Sequence, residues 1–310
     1  MNKKIITAIA ALTLVIPTTA NATLKREVTL PTPTIAILDT AIDTGVNAFK
    51  DKIVHEVCII EWNSCPNGKG LMEGPGSATL PYHLISKNGF DHGTQMTSVA
   101  IATNPNIKVV FIRIIGNTPN GDRQLVNQKT IFTALDWVIA NKEKFNIQAV
   151  TMSQGRHDFT KAVGYCHNTP QTDQRVKSLV AKGVPVFFPT GNSSDISRID
   201  WPACLDSSVS IGSVDQQNEI SFFSNHDPSK TDFFALGHMP VFLPGSVLKN
   251  AAGTSVATQV AGAQWIAIKQ SKPSLSYQQI YDLISSTSSK TYNSKISSGR
   301  LINLAGALNG

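Results

Sequence analysis

The sequence predicts an α/β protein of three layers, in which a doubly wound, mostly parallel sheet lies between helices on both of its faces. Runs such as Thr34–Asp39 and Lys108–Ile114 are apolar and β-branched almost throughout, as in strands that are buried on both faces. These runs alternate along the chain with stretches of helical periodicity, for example Gln128–Lys144. Short links join them, and this alternation is typical of a parallel sheet covered by helices.

The predicted elements follow one another over nearly the whole chain. Strands are predicted at Thr34–Asp39, Ile53–Ile60, Lys108–Ile114, Ala149–Met152, Val184–Pro189, Val209–Val214 and Asp232–Leu236. Helices are predicted at Gln95–Thr103, Gln128–Lys144, Asp173–Lys182, from Gly253 onward and at Ser276–Ser286. The stretch from Asn63 to Asp91 is rich in Gly, Pro and Asn, so we expect a long surface loop there.

The N-terminus has the three parts of a secretory signal peptide. Lys3 and Lys4 precede an apolar run from Ile5 to Ile16, and Ala20-Asn21-Ala22 is a small-x-small cleavage site. We therefore expect residues 1–22 to be removed and residues 23–310 to form a single domain, located in the periplasm or outside the cell. The apolar run is too short for a membrane span, and no later stretch qualifies.

Charge and composition argue against a nucleic-acid partner. The formal charge of +6 falls to +4 when Lys3 and Lys4 are removed (6 − 2), and the remaining basic residues are scattered. Neither a Lys/Arg block nor alternation of basic and aromatic residues is present, so we interpret the charge as a solvated surface.

Four cysteines in an exported chain favour two disulfides. Three pairings exist, and the sequence alone does not choose among them; we favour Cys58 with Cys65 and Cys166 with Cys204. Metal binding is the alternative, but the chain has no C-x-x-C motif. The segment that begins His55-Glu56 lacks the second histidine of a zinc protease motif, so no metal site is expected.

Gly253–Thr258 opens a run of small and apolar residues that predicts a helix buried on all sides. Ser255 lies at the start of this helix, where free N–H groups and the positive end of the helix dipole stabilise an oxyanion. Ser255 is therefore a candidate nucleophile. The other interpretation is that Thr254 and Ser255 only cap the helix.

A nucleophilic serine needs a base and an orienting partner for that base. All seven histidines precede Ser255, which excludes the α/β-hydrolase order and leaves Asp…His…Ser open. His92 stands at a predicted helix start before Gly93, and Asp39 ends a predicted strand. Taken singly, each could be an ordinary cap or turn residue. Together they stand in the right order on the predicted elements.

Asn192 follows Gly191 at the end of another predicted strand. Its side-chain amide could donate to the oxyanion that forms during amide hydrolysis, with the N–H of Ser255 as the second donor. The alternative is an ordinary Gly-Asn turn.

Five motifs in sequence order resemble the subtilisin-like serine peptidases (subtilases) over nearly the whole mature chain. They are Asp39-Thr40-Ala41-Ile42-Asp43, His92-Gly93-Thr94, Ser153-Gln154-Gly155, Gly191-Asn192 and Gly253-Thr254-Ser255-Val256-Ala257-Thr258. The resemblance implies the subtilisin fold, polypeptide substrates, a catalytic triad of Asp39, His92 and Ser255, and Asn192 in the oxyanion hole.

The same resemblance implies where an extended substrate lies. Ser153, Gln154, Gly155 and Gly191 would line the pocket for the residue before the cut, and the Gly116–Gly121 turn would be the opposite edge. No acidic residue is visibly directed at this pocket in the sequence, so we expect apolar or broad specificity.

The chain also departs from the family pattern. Ala41 replaces a usual Gly, Gln95 follows the His-Gly-Thr motif where a histidine is usual, and Thr258-Gln259-Val260 stands where the family has Thr-Pro-His-Val. The usual calcium loop in the helix that begins at the catalytic histidine is missing, so we expect no required cofactor, with other calcium sites left open.

About a dozen residues separate Ala22 from the strand at Thr34, too few for the folding propeptide that secreted subtilases commonly carry. We therefore expect folding without such a segment, aided by the disulfides or by a separate helper or inhibitor protein. Two functions remain: an active exported endopeptidase, or a catalytically silent subtilase fold that serves as a binding module.

Overall fold

The computed structural model of the protein describes residues 31–61, 64–87, 89–156, 166, 169–293 and 296–310. The predicted signal peptide, residues 1–22, lies outside the described residues. The strands are β1 (Thr34–Asp39), β2 (Ile53–Ile59), β3 (Leu71–Glu73), β4 (Lys108–Arg113), β5 (Ile147–Met152), β6 (Val186–Pro189), β7 (Val209–Val214), β8 (Phe233–Leu236), β9 (His238–Leu243), β10 (Val247–Ala252), β11 (Ser289–Asn293) and β12 (Ile296–Leu301). The helices are α1 (Tyr82–Ile85), α2 (His92–Thr103), α3 (Gln128–Asn141), α4 (Pro170–Ala181), α5 (Thr254–Ser271), α6 (Tyr277–Thr287) and α7 (Leu304–Asn309).

The main sheet has the strand order β11-β12-β8-β7-β6-β5-β1-β4-β2-β3. Neighbours from β2 to β12 run parallel, whereas β3 and β11 are antiparallel at the two edges. β1 has β4 on one side and β5 on the other, so the winding reverses beside β1. Ligand sites of open α/β sheets lie at such a reversal, beyond the carboxyl ends of the strands. The predicted fold class is confirmed.

The core is divided between the two faces of the sheet. Ile35 and Ile37 pack in one cluster with apolar residues of α2 and α5, whereas Ala36 and Leu38 pack in another with residues of α3 and α4. Successive residues of a strand point to opposite faces. A strand covered on both faces must therefore be apolar at every position, as the run in β1 is.

Helix α5 crosses the centre of the molecule. It contacts strands β5 to β8 on one side and α2 on another, and most of its residues are buried. Gly262 allows a close approach to the sheet, because a Cβ at this position would lie 2.5 Å from Cγ2 of Thr151. The apolar run after Gly253 therefore forms the buried helix that its composition predicts.

Some elements escaped the sequence-based prediction. The predicted loop from Asn63 to Asp91 contains β3 and α1, and the turn-rich stretch around Pro244 joins β9 to β10 in a separate two-stranded sheet. β3 is only three residues long and exists because it pairs with the edge of β2. Such a strand takes its stability from its partner, so its own sequence carries little signal.

Residues Thr32–Gly310 form one compact unit. Within the ranges given above, no helix has the length and apolar character needed to cross a bilayer.

Candidate active site

Asp39 and His92 form a hydrogen-bonded pair at the carboxyl edge of the sheet. Asp39 is the last residue of β1 and its side chain is fully buried, whereas the side chain of His92 is 25% exposed. Nδ1 of His92 lies 2.8 Å from Oδ1 and 3.0 Å from Oδ2 of Asp39. Oδ1 also accepts a hydrogen bond from the backbone N–H of Thr40 at 2.7 Å. This arrangement fixes the imidazole with Nδ1 as donor and directs Nε2 away from the carboxylate.

The residues next to each partner explain why the pair forms. The hydroxyl of Thr40 donates to the carbonyl of Phe90 at 2.9 Å and accepts from the N–H of Gly93 at 3.0 Å. A Cβ at residue 93 would lie 2.4 Å from the carbonyl oxygen of Ala41 and 2.5 Å from the ring of Phe111. Glycine therefore lets α2 begin directly against the loop that follows β1, which brings the two side chains within bonding distance.

Ser255 is the second residue of α5 and is half-buried. Its hydroxyl donates to the carbonyl of Ser153 at 3.4 Å, and the hydroxyl of Ser153 donates back to the carbonyl of Ser255 at 3.1 Å. The hydrogen bonds among the described residues do not include one between Ser255 and His92. As one of the first helical residues, Ser255 has an N–H without an intrahelical acceptor, so this donor remains for an anion.

Gln259, one turn further along α5, holds this region together. It is fully buried; its Oε1 accepts from the hydroxyl of Thr151 at 2.9 Å, and its Nε2 donates to the hydroxyl of Ser153 at 2.9 Å. Gln259 thereby ties the start of α5 to the end of β5. The sequence signal for this role is a polar residue in the second turn of a helix rich in small and apolar residues, at a position that departs from the family pattern.

Asn192 lies against the first residue of α5. Its Oδ1 accepts from the N–H of Thr254 at 2.9 Å and from the Thr254 hydroxyl at 3.0 Å. That hydroxyl also accepts from the N–H of Gly191 at 3.2 Å. Because Oδ1 is engaged with Thr254, the amide has a fixed orientation, and the Nδ2 group remains as the donor of an exposed side chain.

The loop that carries Asn192 is itself held by Asn225, a residue that sequence reasoning missed. Oδ1 of Asn225 accepts from the N–H groups of Ser193 at 2.8 Å and Asp195 at 3.0 Å. Its Nδ2 donates to Oδ1 of Asp200 at 2.9 Å. A fully buried side chain with partners on three loop residues fixes the loop conformation. A single asparagine between two predicted strands carries no sequence signal for such a role.

The three predicted pocket residues after β5 differ in solvent exposure and in the direction of their side chains. Ser153 and Gln154 are both 5% exposed, whereas Gly155 is exposed. The side chain of Gln154 is turned to the Asp39–His92 pair, with Nε2 at 2.9 Å from Oδ1 of Asp39. The sequence had placed Gln154 only in the pocket wall.

Arg113 places a fixed positive charge on the strand next to Asp39. The two residues are partners in the register of β4 with β1, and Arg113 is fully buried. Its Nε donates to the carbonyl of Ile115 at 3.1 Å. Burial lowers the pKa of Arg113 to about 10, so the guanidinium stays protonated at neutral pH.

Away from this cluster, Cys58 is bonded to Cys65 and Cys166 to Cys204, with Cα–Cα distances of 5.8 and 5.9 Å. No group of three or more His, Cys, Asp or Glu side chains arranged for a metal ion occurs within the part of the chain that the structure describes. The absence of a cofactor requirement stays a prediction.

Residues 31–301 match the profile of the subtilase family, peptidase S8. The matched range contains the Asp39–His92 pair, Asn192 and Ser255. The chain belongs to the subtilase family.

Two similar subtilases are the alkaline protease of Alkalihalobacillus alcalophilus and Subtilisin Savinase of Lederbergia lenta. Each is 26% identical over 243 residues, or 75% of this chain. The chain spans 58% of the length of the alkaline protease and 82% of Savinase.

Similar solved structures include a protease of Pseudoalteromonas arctica, with a TM-score of 0.69, 19% identity and 89% of each chain covered. Another is the nisin leader peptidase of Lactococcus lactis, with a TM-score of 0.67, 15% identity and coverage of 90% of this chain and 87% of the other. At these identities the likeness shows the subtilisin-like fold.

Proposed function

We propose that this subtilase is an active, exported serine endopeptidase with Asp39, His92 and Ser255 as its catalytic triad. The observation that carries the proposal is the buried carboxylate of Asp39, bonded to Nδ1 of His92 at the sheet edge where α5 begins with Ser255. A buried carboxylate orients an imidazole and stabilises its protonated form, which is the role a general base requires.

In the first step Oγ of Ser255 attacks the carbonyl carbon of the scissile peptide bond, and Nε2 of His92 takes the hydroxyl proton. The C–N bond then breaks, and His92 gives this proton to the leaving amine. Water repeats the sequence on the acyl-enzyme and releases the second product. The long Ser255–Ser153 hydrogen bond of 3.4 Å is weak, so rotation about the Cα–Cβ bond of Ser255 readily frees the hydroxyl for His92.

The oxyanion of the tetrahedral intermediate would accept from Nδ2 of Asn192 and the N–H of Ser255. The hydrogen bonds from Thr254 to Oδ1 support this role, because they hold the amide in place before the substrate arrives. Preorganised donors of this kind stabilise the transition state without reorganisation. None of these steps requires a metal ion.

Export is proposed on two grounds, the signal-peptide pattern of residues 1–22 and the two disulfides. Periplasmic and extracellular locations fit both grounds equally. N-terminal sequencing of the exported protein should give a start near Thr23.

A catalytically silent binding module is the second candidate function. The observation that favours it is that Ser255 donates to Ser153, with no hydrogen bond to His92 among the described residues. Such a protein would bind polypeptides through the same fold without turning them over.

A fluorophosphonate probe distinguishes the two functions, because it reacts only with an activated serine. We expect the protein to be labelled and to hydrolyse peptides, whereas Ser255→Ala should remove labelling and reduce turnover by about a millionfold. Absence of labelling and of hydrolysis in the correctly folded wild-type protein would favour the silent module.

A further inference from the structure

The side chain of Gln154 touches both members of the Asp39–His92 pair. Its Nε2 lies 2.9 Å from Oδ1 of Asp39 and 3.2 Å from Nδ1 of His92. Its Oε1 accepts a hydrogen bond from Nη2 of Arg123. The glutamine is 5% exposed, whereas Arg123 is exposed on the segment that follows β4. An unbroken series of hydrogen bonds thus runs from a surface cation to a buried carboxylate.

The two ends of this series allow only one orientation of the Gln154 amide. A guanidinium can only donate, and an ionised carboxylate can only accept. Reversal of the amide would place Oε1 against Asp39 and the NH₂ group against Arg123, so both contacts would become repulsive. Arg123 therefore selects the orientation in which Gln154 donates to Asp39. Hydrogen bonds in such a series also polarise and strengthen one another.

The geometry also shows which atom Gln154 holds. Nδ1 of His92 donates to the carboxylate, so the 3.2 Å contact between Gln154 and His92 joins two donors that share Oδ1 as their acceptor. The glutamine and the N–H of Thr40 thus fix Oδ1 from two sides. Loss of the glutamine would leave the carboxylate freer to rotate and would loosen the orientation of the imidazole.

We propose that Gln154 is a positioning residue that acts through Asp39, and that Arg123 acts through Gln154. This inference rests on the proposed function, because the positioned groups are those of the proposed triad. Asn117 and Arg123, which lie on the segment after β4, pair in an antiparallel bridge. Through Gln154 and Asp39, this segment contributes to the orientation of His92, the proposed base. Loss of either Gln154 or Arg123 should lower kcat and leave KM nearly unchanged. The hydrogen bond from Gln154 to Asp39 is needed for proton transfer but not for substrate binding.

A double-mutant cycle with Gln154→Met and Arg123→Met tests the inference. Methionine matches the length of glutamine and removes both hydrogen bonds. For Gln154→Met we expect kcat to fall by about ten- to a hundredfold, as for loss of one hydrogen bond to a charged group, with KM changed less than about twofold. Arg123→Met should lower kcat by about three- to tenfold in the wild-type background and should have no further effect when Gln154 is already Met.

Two distant substitutions serve as matched controls. Gln278 donates to Asp282 at 2.9 Å, and Arg175 donates to Asp136 at 2.9 Å, both on helices away from the sheet edge. Gln278→Met and Arg175→Met should leave kcat unchanged. Thermal unfolding of each variant establishes that the compared proteins are folded. A kcat for Gln154→Met within about twofold of wild type, or effects of the two substitutions that simply multiply, would overturn the inference.

A second measurement does not depend on turnover. The proton on Nδ1 of His92, hydrogen-bonded to Asp39, should give a separate downfield line in the proton NMR spectrum. We expect this line to move in Gln154→Met and in Arg123→Met but not in Gln278→Met. An unmoved line would overturn the inference even in a protein without peptidase activity, whereas an inactive wild type with a line that moves would refute only the proposed function.

Discussion

Asp200 lies against two glycines of the proposed pocket. A Cβ at Gly191 would be 2.4 Å from Oδ2 of Asp200, and a Cβ at Gly155 would be 4.0 Å from the same oxygen. The carboxylate therefore lies between the two backbone segments that the family resemblance assigns to the residue before the cut. Asn225 donates to its other oxygen at 2.9 Å, which orients the group. The sequence-based expectation of apolar or broad specificity did not include this residue.

For Asp200→Ala we expect kcat/KM to fall by about ten- to a hundredfold on peptides with Arg and with Leu before the cut alike, because Nδ2 of the buried Asn225 loses its acceptor and the loop that carries Asn192 is held less firmly. The measurement is kcat/KM for matched Arg and Leu peptides, with Asp206→Ala as the control, since Asp206 pairs with Lys230 at an exposed site. An unchanged kcat/KM would exclude a role of Asp200 in holding this loop.

Among single residues, the order and elements of Asp39, His92 and Ser255 could be predicted, because each stands beside a recognisable local pattern. Gln154 could only be predicted in part. Its position after β5 was clear, but the direction of its side chain depends on Asp39, which is 115 residues away in the chain. A contact of that separation leaves no periodic signal in the sequence.

At the scale of single elements, the important connection is between α5 and β5. Gln259 departs from the family pattern in the second turn of α5, where a rotation of the helix would misdirect Ser255. In the structure α5 is continuous from Thr254 to Ser271, and Gln259 bonds to Thr151 and Ser153 of the neighbouring strand end. Hydrogen bonds across the sheet–helix interface therefore define the rotation of α5.

For Gln259→Leu we expect a loss of about 2 kcal/mol in the free energy of unfolding and a lower kcat, since the buried hydroxyls of Thr151 and Ser153 each lose a partner. The matched control is Gln264→Leu in the same helix. Oε1 of Gln264 is buried with no hydrogen-bond partner in the described part of the chain, so leucine there should be neutral or stabilising. Urea unfolding of both variants measures the difference, and equal effects would contradict the role assigned to Gln259.

At the scale of the whole molecule, the strand order creates the site. β1 and β5 are distant in sequence but adjacent in the sheet, with Leu38 opposite Met152. The residues that follow them, Asp39 and Ser153-Gln154, therefore emerge side by side at the reversal point. The alternation of strands and helices predicted a parallel sheet, but several strand orders satisfy the same alternation.

The two disulfides close loops of unequal length and should contribute unequally to stability. With separations of 7 residues for Cys58–Cys65 and 38 for Cys166–Cys204, the loop-entropy relation gives about 2.5 and about 4 kcal/mol. Replacement of Cys166 and Cys204 by Ala should therefore lower the free energy of unfolding more than the same change at Cys58 and Cys65.

Chemical denaturation measures the free energy of unfolding of the two double variants, one for each disulfide, and of the oxidised wild type. The comparison checks which disulfide contributes more to stability. Mass analysis after alkylation, without reductant, should find no free thiol in the wild type. A larger loss for the Cys58 and Cys65 variant would contradict the loop-length argument and indicate that packing of the buried Cys58–Cys65 cluster dominates.

By itself the sequence determined the fold class, the family, the order of the motifs that contain Asp39, His92 and Ser255, and the buried nature of α5. These follow from local periodicity and from the order of short motifs along the chain. Only the tertiary structure decided that Gln154 turns to Asp39, that Gln259 ties α5 to β5, that Asp200 lies between two glycines, and that Ser255 bonds to Ser153. The physical reason is that hydrogen bonds and van der Waals contacts act over a few ångströms in space. Strand order, register and helix rotation determine which distant residues come that close.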